Sequence, residues 1–207
     1  MARIYVYMQL PHSDEVVTLG RLDVERGVGA FVYSPDYVDA NGWVPDAIRY
    51  PLRKAVYEGI RTNGGIPGFI RDAAPDGWGQ RVAEKAAGHG LDAVGYLLKS
   101  PNHDRAGNLL FGTSKTPPQG IGQAGIGGLA ALEDFIAFAD NIQGQYSPQL
   151  DAAARQALRQ RSSLGGARPK CTVRQGERLN LAKPRDRYGQ VDVPSLEFAC
   201  MTFAQQK

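Results

Sequence analysis

The sequence predicts an α+β fold, with a β-rich N-terminal subdomain followed by helices and a second small group of strands. Three patterns predict it: alternating apolar residues near the N-terminus, a Gly-containing turn between two such runs, and helical spacing of apolar residues further along. The length of 207 residues and the hydrophobic fraction of 43% are ordinary for a globular chain of one or two domains. No apolar run approaches the roughly 18 residues that cross a bilayer.

Residues 1–115 contain the elements of the predicted β-rich subdomain. A turn at Arg26-Gly27 joins two of the strands as a hairpin. Residues 62–77 are rich in Gly, Pro and Asp and predict a loop, at whose end Asp76 can cap a helix that carries Trp78. The other predicted elements are strands over residues 3–8, 16–25, 28–33 and 106–112 and a helix over residues 91–98.

Residues 116–128 are rich in Pro and Gly and predict a linker. Gly120-Ile121-Gly122-Gln123-Ala124-Gly125 fits the spacing of dinucleotide-binding loops, but Pro117-Pro118 stands where that motif needs a buried strand. We therefore favour a linker over a dinucleotide site.

Residues 129–207 form the second predicted domain. Its predicted elements are a helix over residues 129–142, a helix that starts at Ser147-Pro148, strands over residues 170–175 and 178–183, and a helix that carries Leu196 to Ala204.

The net charge of +3 conceals an asymmetry between the two parts of the chain. Residues 1–150 hold 13 basic and 16 acidic side chains, whereas residues 151–207 hold 11 basic and 5 acidic ones. Such a split is typical of a surface that binds polyanions, such as nucleic acid or nucleotide phosphates. A solvated basic surface is an equally good interpretation of the composition alone.

Cysteine and histidine give no sign of a disulfide framework, a metal site or a catalytic pair. Cys171 and Cys200 lack the spacing of metal ligands, and two cysteines make no disulfide scaffold, so we expect a reduced, cytoplasmic protein. His103 stands beside Asp104, but neighbours in sequence do not converge in space and no nucleophile is near. We interpret this pair as structural.

The segment Ser162 to Lys170 is a glycine-containing loop that leads into a strand. Gly165-Gly166 leaves room for backbone N–H groups to approach phosphate oxygens. On the following strand Lys183 shares a face with Leu179 and Leu181, so we expect it to point inward and to need a counter-charge. Glu197 is the candidate, although a Glu in a first helical turn also favours the helix dipole. This order of elements is typical of the small lobe of a protein kinase.

The chain resembles the HipA-type serine/threonine kinase toxins over nearly its whole length. The most specific matches are the glycine loop and the segment Ala74-Pro75-Asp76-Gly77-Trp78. The other matching segments are Leu19 to Leu22, Phe31 to Tyr33, Tyr50 to Leu52, Asp104 to Phe111, Leu181 to Pro184 and Asp192 to Glu197. The resemblance implies an α+β chain that ends in an incomplete kinase-like small lobe.

Carried over by position, the resemblance implies a role for each matching residue. The ATP phosphates would be cradled by Gly165, Gly166, Ala167, Arg168, Pro169 and Lys170. Lys183 would hold the α- and β-phosphates, and Glu197 would orient Lys183. Ser163 matches the serine that the family autophosphorylates to switch the kinase off. ATP and Mg²⁺ are the implied cofactors of the full-length kinase, and the implied partners are a DNA-binding antitoxin of the HipB type and a protein substrate such as an aminoacyl-tRNA synthetase.

The catalytic Asp residues of the family lie downstream of the Glu197 helix. We therefore expect no catalytic residue in this chain, and we expect it to be the N-terminal portion of such a kinase, inactive alone and at most a weak ATP binder. The alternative is a non-catalytic interaction module that binds an antitoxin or a separately encoded kinase lobe. A third interpretation is direct nucleic-acid binding by residues 155–187, which hold 10 basic and 2 acidic side chains.

Overall fold

The computed structural model describes residues 1–61, 64–105, 107–119, 126–143, 168–185 and 189–205. The strands are β1 (Ala2–Gln9), β2 (Val16–Glu25), β3 (Val28–Tyr33), β4 (Val56–Glu58), β5 (Leu109–Gly112), β6 (Ile126–Gly127), β7 (Cys171–Gln175) and β8 (Arg178–Ala182). The helices are α1 (Pro35–Asp39), α2 (Gly68–Arg71), α3 (Gly77–Ala87), α4 (Ala93–Lys99), α5 (Gly128–Gln143) and α6 (Val193–Gln205). The predicted α+β class is confirmed.

The N-terminal part is built on an antiparallel sheet with the strand order β4-β3-β2-β1-β5. The hairpin β2–β3 has the predicted ends, and Arg26 and Gly27 turn it with positive φ angles of 49° and 75°. Positive φ at both positions is typical of a two-residue hairpin turn, whose twist matches that of the strands. Strand β1 extends one residue beyond each predicted end.

One face of this sheet forms the first core. Alternate residues of β1 point to the same face, so Ile4 and Val6 are buried, and Met8 lies with them in the core. Helices α2 and α4 cover the face with Ile70 and Leu97. Each large apolar side chain buried here contributes about 1.5–3 kcal/mol to folding.

Arg105 connects the helical segments that cover this core to strand β5 of the sheet. Its guanidinium group donates hydrogen bonds of 2.8 Å to the backbone oxygens of Ala73, Leu97 and Ser100, and it lies 4.8 Å from the ring centre of Phe111. Burial lowers the pKa of Arg105 to about 10. The side chain thus satisfies carbonyl groups where three segments meet.

The second core lies between the N-terminal part and the later strands. Trp78 and Val82 of α3 belong to one buried cluster with Phe135 and Ala139 of α5 and with Cys171 of β7. The rings of Trp78 and Phe135 meet edge to face, with centroids 6.4 Å apart. Strands β6, β7 and β8 form a small sheet beside this cluster, in which β6 and β7 run parallel and β7 and β8 antiparallel.

Several elements were missed or misplaced by the sequence analysis. Residues 62–77 were assigned to a loop, but Gly68–Arg71 forms one helical turn. Strand β6 lies inside the predicted linker, and β4 had no predicted counterpart. These elements span two to four residues, which is too short to show a period in the sequence. The helix predicted to start at Ser147-Pro148 and the Gly120–Gly125 motif lie outside the described residues.

Within the described ranges, no helix is long and apolar enough to span a membrane. Cys171 is buried and Cys200 is exposed, and neither belongs to a disulfide in the part of the chain that the structure describes.

Candidate functional site

Lys183 and Glu197 are brought together by the end of β8 and the first turns of α6. Lys183 follows the last residue of β8 directly. Helix α6 begins at Val193 behind Asp192, whose carboxylate accepts a hydrogen bond of 3.2 Å from the backbone N–H of Ser195. This contact caps the helix, as expected for an Asp that precedes a Pro-containing first turn. The cap fixes where α6 starts and therefore where Glu197 projects.

The Nζ atom of Lys183 donates a hydrogen bond of 2.6 Å to Oε2 of Glu197. The counter-charge expected from the sequence is therefore present. The expected burial is wrong: the side chains of Lys183 and Glu197 are 42% and 46% exposed. Leu179 and Leu181, which share the face of β8 with Lys183, are also about half exposed, because nothing in the described part of the chain covers that face.

Other cations surround this ion pair. The hydrogen bond from Lys183, followed by the positive charges of Lys183, Arg168 and Lys170, lowers the pKa of Glu197. Cys171 pairs with Ala182 across β7 and β8, so Lys170 and Lys183 occupy adjoining positions at the same end of the hairpin. The result is a group of cationic side chains around one carboxylate, which we call the cationic cluster: Arg168, Lys170, Lys183 and Glu197.

A cavity of about 230 Å³ opens at the cationic cluster. Arg168, Lys183 and Glu197 provide its charged groups, while Pro169, Pro184 and Val191 provide part of its apolar wall. Close to this cavity, Arg185 forms an exposed ion pair with Asp192, with their charged atoms 3.7 Å apart. Basic side chains in a partly apolar concave site are suited to bind an anion that carries an organic group.

Several predicted site residues can be placed and others cannot. Arg168, Pro169, Lys183 and Glu197 line one cavity, and Lys170 adjoins it. Pro184 and Val191, which line the cavity, and Asp192, which caps α6, were not predicted as site residues. The cap could have been predicted, because an Asp followed by a Pro near the start of a helix is a typical N-terminal signal. The other predicted site residues lie outside the described residues and are Ser163, Gly165, Gly166 and Ala167.

Asp104, which we interpreted as structural, lies on the face of β7 opposite to the buried cluster that contains Cys171. It is buried, and its carboxylate accepts a hydrogen bond from the hydroxyl group of Thr172. His103 is partly buried beside it in the turn Asn102–Asp104. In the part of the chain that the structure describes, no group of three His, Cys, Asp or Glu side chains could hold a metal ion.

Helix α6 exposes most of its apolar side chains. In the described range of this helix no residue is buried, and Phe198 and Phe203 are 74% and 79% exposed. Leu196 and Met201 are exposed on the same helix. Leu179 and Leu181 of β8 are about half exposed as well, so both elements that carry the Lys183–Glu197 pair present apolar side chains to solvent. Exposed apolar groups in such number are typical of surfaces that other polypeptide segments cover.

Most of the N-terminal sheet and its helices are similar to a known domain family. Residues 13–112 match the family model of the HipA N-terminal domain. The N-terminal portion of this chain is HipA-like. The match covers β2 to β5 and the intervening helices, so the HipA N-terminal domain includes both Trp78 and Asp104. No curated protein matches the chain. The cationic cluster lies beyond the matched residues.

Proposed function

We propose that this chain is the N-terminal part of a HipA-like, ATP-dependent serine/threonine protein kinase, the toxin of a type II toxin–antitoxin system. The observation that carries the proposal is the 2.6 Å contact between Lys183 and Glu197 within the cationic cluster. It stands on a chain whose residues 13–112 are a HipA N-terminal domain. A Lys held by a Glu from a following helix is the arrangement that positions ATP phosphates in protein kinases.

The chemistry of the cationic cluster fits a nucleotide polyphosphate. Arg168 can donate two parallel hydrogen bonds to phosphate oxygens, whereas Lys170 and Lys183 act as compact positive charges. Glu197 accepts a hydrogen bond from one N–H group of the Lys183 ammonium, which leaves the other N–H donors for a ligand. ATP would supply the phosphoryl group that such an enzyme transfers. These residues would hold and orient its phosphates.

The proposal assigns no catalytic residue to these 207 residues. Transfer to a hydroxyl group requires one Asp that orients that group and a second Asp with an Asn that hold Mg²⁺. The resemblance places these residues downstream of the Glu197 helix, so the proposal contains no step through Mg²⁺ in this chain. We expect the polypeptide alone to bind ATP weakly and to transfer no phosphoryl group.

Ser163 and the glycine loop are proposed as the regulatory part of the same site. In the sequence, Gly165, Gly166 and Ala167 directly precede Arg168 of the cationic cluster. Phosphorylation of Ser163 would add about −1.5 to −2 charges beside these cations. The phosphorylated loop and ATP would then compete for the same positive charges.

ATP titration of the 207-residue chain, observed by NMR, tests the nucleotide site. We expect ATP to shift the amide signals of Lys170 and Lys183, and we expect Lys183→Met to weaken the response about tenfold. The matched control is Lys54→Met, which removes another exposed lysine with a carboxylate partner, Asp39 at 2.7 Å. Equal ATP responses in the two variants would contradict the proposed site.

The implied partners follow from the same proposal. A DNA-binding antitoxin of the HipB type would bind the HipA-like chain, and nucleic acid would be bound only indirectly through it. The phosphorylated protein would belong to the aminoacyl-tRNA synthetase class. Direct nucleic-acid binding remains a separate expectation, which retention on DNA or RNA that weakens steeply with salt would support.

A second candidate function is that of a non-catalytic interaction module. The exposed apolar side chains of α6 favour it, because they provide a surface for an antitoxin or a separately encoded kinase lobe. The codons that follow Lys207 separate the two candidates. An uninterrupted reading frame with the kinase aspartates supports the enzyme fragment, and a stop codon supports the module.

A further inference from the structure

The HipA N-terminal domain contacts the first two residues of β7 on both faces of the strand. Consecutive residues of a strand point to opposite faces of the sheet. Cys171 points into the buried cluster that contains Trp78 and Val82 of α3. Thr172 points the other way, and its hydroxyl group donates a hydrogen bond to the carboxylate of Asp104. Both Trp78 and Asp104 lie within residues 13–112, whereas β7 lies about 60 residues beyond that range.

The contact on the Trp78 face is apolar and fully enclosed. Trp78 and Cys171 are each 0% exposed, and Phe135 of α5 completes the same cluster. A shift of β7 relative to α3 would therefore open a void or force a clash, because protein interiors are close-packed. This contact fixes the distance between β7 and α3.

The contact on the Asp104 face is polar and directional. Asp104 is only 5% exposed, so its carboxylate depends on protein donors in place of water. A hydrogen bond to a charged acceptor is stronger and more directional than one between neutral groups. The Thr172 hydroxyl therefore fixes the position of β7 along its length.

The position of the first residues of β7 determines the positions of the cationic cluster's residues. Arg168, Pro169 and Lys170 immediately precede Cys171, and Pro169 is buried. Cys171 is also the residue that pairs with Ala182, next to Lys183. A displacement of β7 would thus change the spacing between Lys170 and Lys183.

We infer that Asp104 and Thr172 are positioning residues through which the HipA N-terminal domain sets the geometry of the cationic cluster. This inference rests on the proposed nucleotide function of that cluster. It gives the N-terminal domain a direct role in the nucleotide site, although none of its residues lines the cavity. The hydrogen bond between Thr172 and Asp104 is the part of this linkage that single substitutions can remove or restore.

Hydrogen exchange of the full 207-residue chain tests the linkage. Thr172→Val removes the hydroxyl group at nearly constant volume, and Asp104→Ala removes the acceptor. We expect each variant to speed the exchange of β7 amides about tenfold while β1 and β2 remain unchanged. Thr172→Ser keeps the donor and should behave like the wild type. Asp104→Asn keeps only a neutral acceptor, so its effect should lie between that of the wild type and that of Asp104→Ala. Thr202→Val is the matched control, since the Thr202 hydroxyl donates to the Phe198 oxygen of exposed α6.

ATP titration of the same variants separates the linkage from the proposed function. We expect Thr172→Val and Asp104→Ala to weaken the ATP-induced shifts at Lys170 and Lys183 several-fold, with rescue in Thr172→Ser. An ATP response that stays unchanged would overturn the positioning role. Faster exchange in β1 and β2 as much as in β7 would also overturn it, since the variants would then lower only global stability. If ATP shifts no amide signal of the wild type, the proposed nucleotide function is contradicted. The exchange rates of the β7 amides then still show whether the contact between Thr172 and Asp104 holds β7 in place.

Discussion

Lys183 and Glu197 form a hydrogen-bonded ion pair of 2.6 Å across 14 residues of chain. The pair connects the end of β8 to α6, which has no buried residue in its described range. It therefore fixes the one carboxylate of the cationic cluster next to the Lys that the sequence analysis had selected.

The pKa of Glu197 should depend on Lys183. Because the pKa of Glu197 is lowered in the folded chain, the ion pair contributes to stability above the ordinary glutamate pKa of about 4.3. That contribution is lost as the pH falls through the folded value. Lys183→Met should raise the pKa of Glu197 towards its ordinary value. A pH titration of the Glu197 carboxyl carbon by NMR measures it, and Lys54→Met should leave the titration unchanged.

Trp78 should contribute far more to stability than Trp43. Trp78 is fully buried in the second core, whereas Trp43 is 50% exposed. We expect Trp78→Ala to cost about 3–5 kcal/mol in the free energy of unfolding. Trp43→Ala should cost clearly less. Urea denaturation of both variants measures the difference, and equal losses would be incompatible with a second core organised around Trp78.

The buried guanidinium group of Arg105 should be needed for the fold. Arg105→Met would leave the backbone oxygens of Ala73, Leu97 and Ser100 without their donors, so we expect a loss of about 3 kcal/mol or more. Arg3→Met removes an exposed arginine that pairs with Asp23 and should cost less than about 1 kcal/mol. Thermal unfolding of the two variants distinguishes these roles, and a small loss for Arg105→Met would refute this assignment.

The exposed aromatic residues of α6 should contribute little to the stability of the isolated chain. Phe203→Ser removes a side chain that is 79% exposed, so the free energy of unfolding should change by less than about 0.5 kcal/mol. The same change at Phe135, which is fully buried on α5, should strongly destabilise the chain. A large loss for Phe203→Ser would mean that α6 packs against the rest of the chain.

The regular elements of the fold could be predicted because their sequence patterns are local. The β2–β3 hairpin followed from alternation around Arg26-Gly27, and α3 followed from the spacing of Trp78 and Val82. Asp76 occupies the expected N-cap position of α3, but its side chain makes no capping hydrogen bond. The short strand β6 could not be predicted, since two residues show no period and its pairing with β7 depends on a distant segment.

The candidate site was predictable in part for a related reason. The pairing of Lys183 with Glu197 followed from strand parity and the need for a counter-charge. The burial of that face did not follow, because parity says which residues share a face and not what covers it. The contact between Asp104 and Thr172 is a long-range hydrogen bond across 68 residues, and neither residue alone signals it in the sequence.

The central claim, that the cationic cluster binds nucleotide phosphates, is tested most directly by the affinities of ATP, ADP and AMP for the 207-residue chain. Amide shifts of Lys170, Lys183 and Glu197 provide the signal. The account predicts that affinity falls with each phosphate removed and weakens as salt rises, because the cations contact the phosphates. Equal affinity for AMP and ATP, or shifts confined to residues away from the cationic cluster, would contradict it.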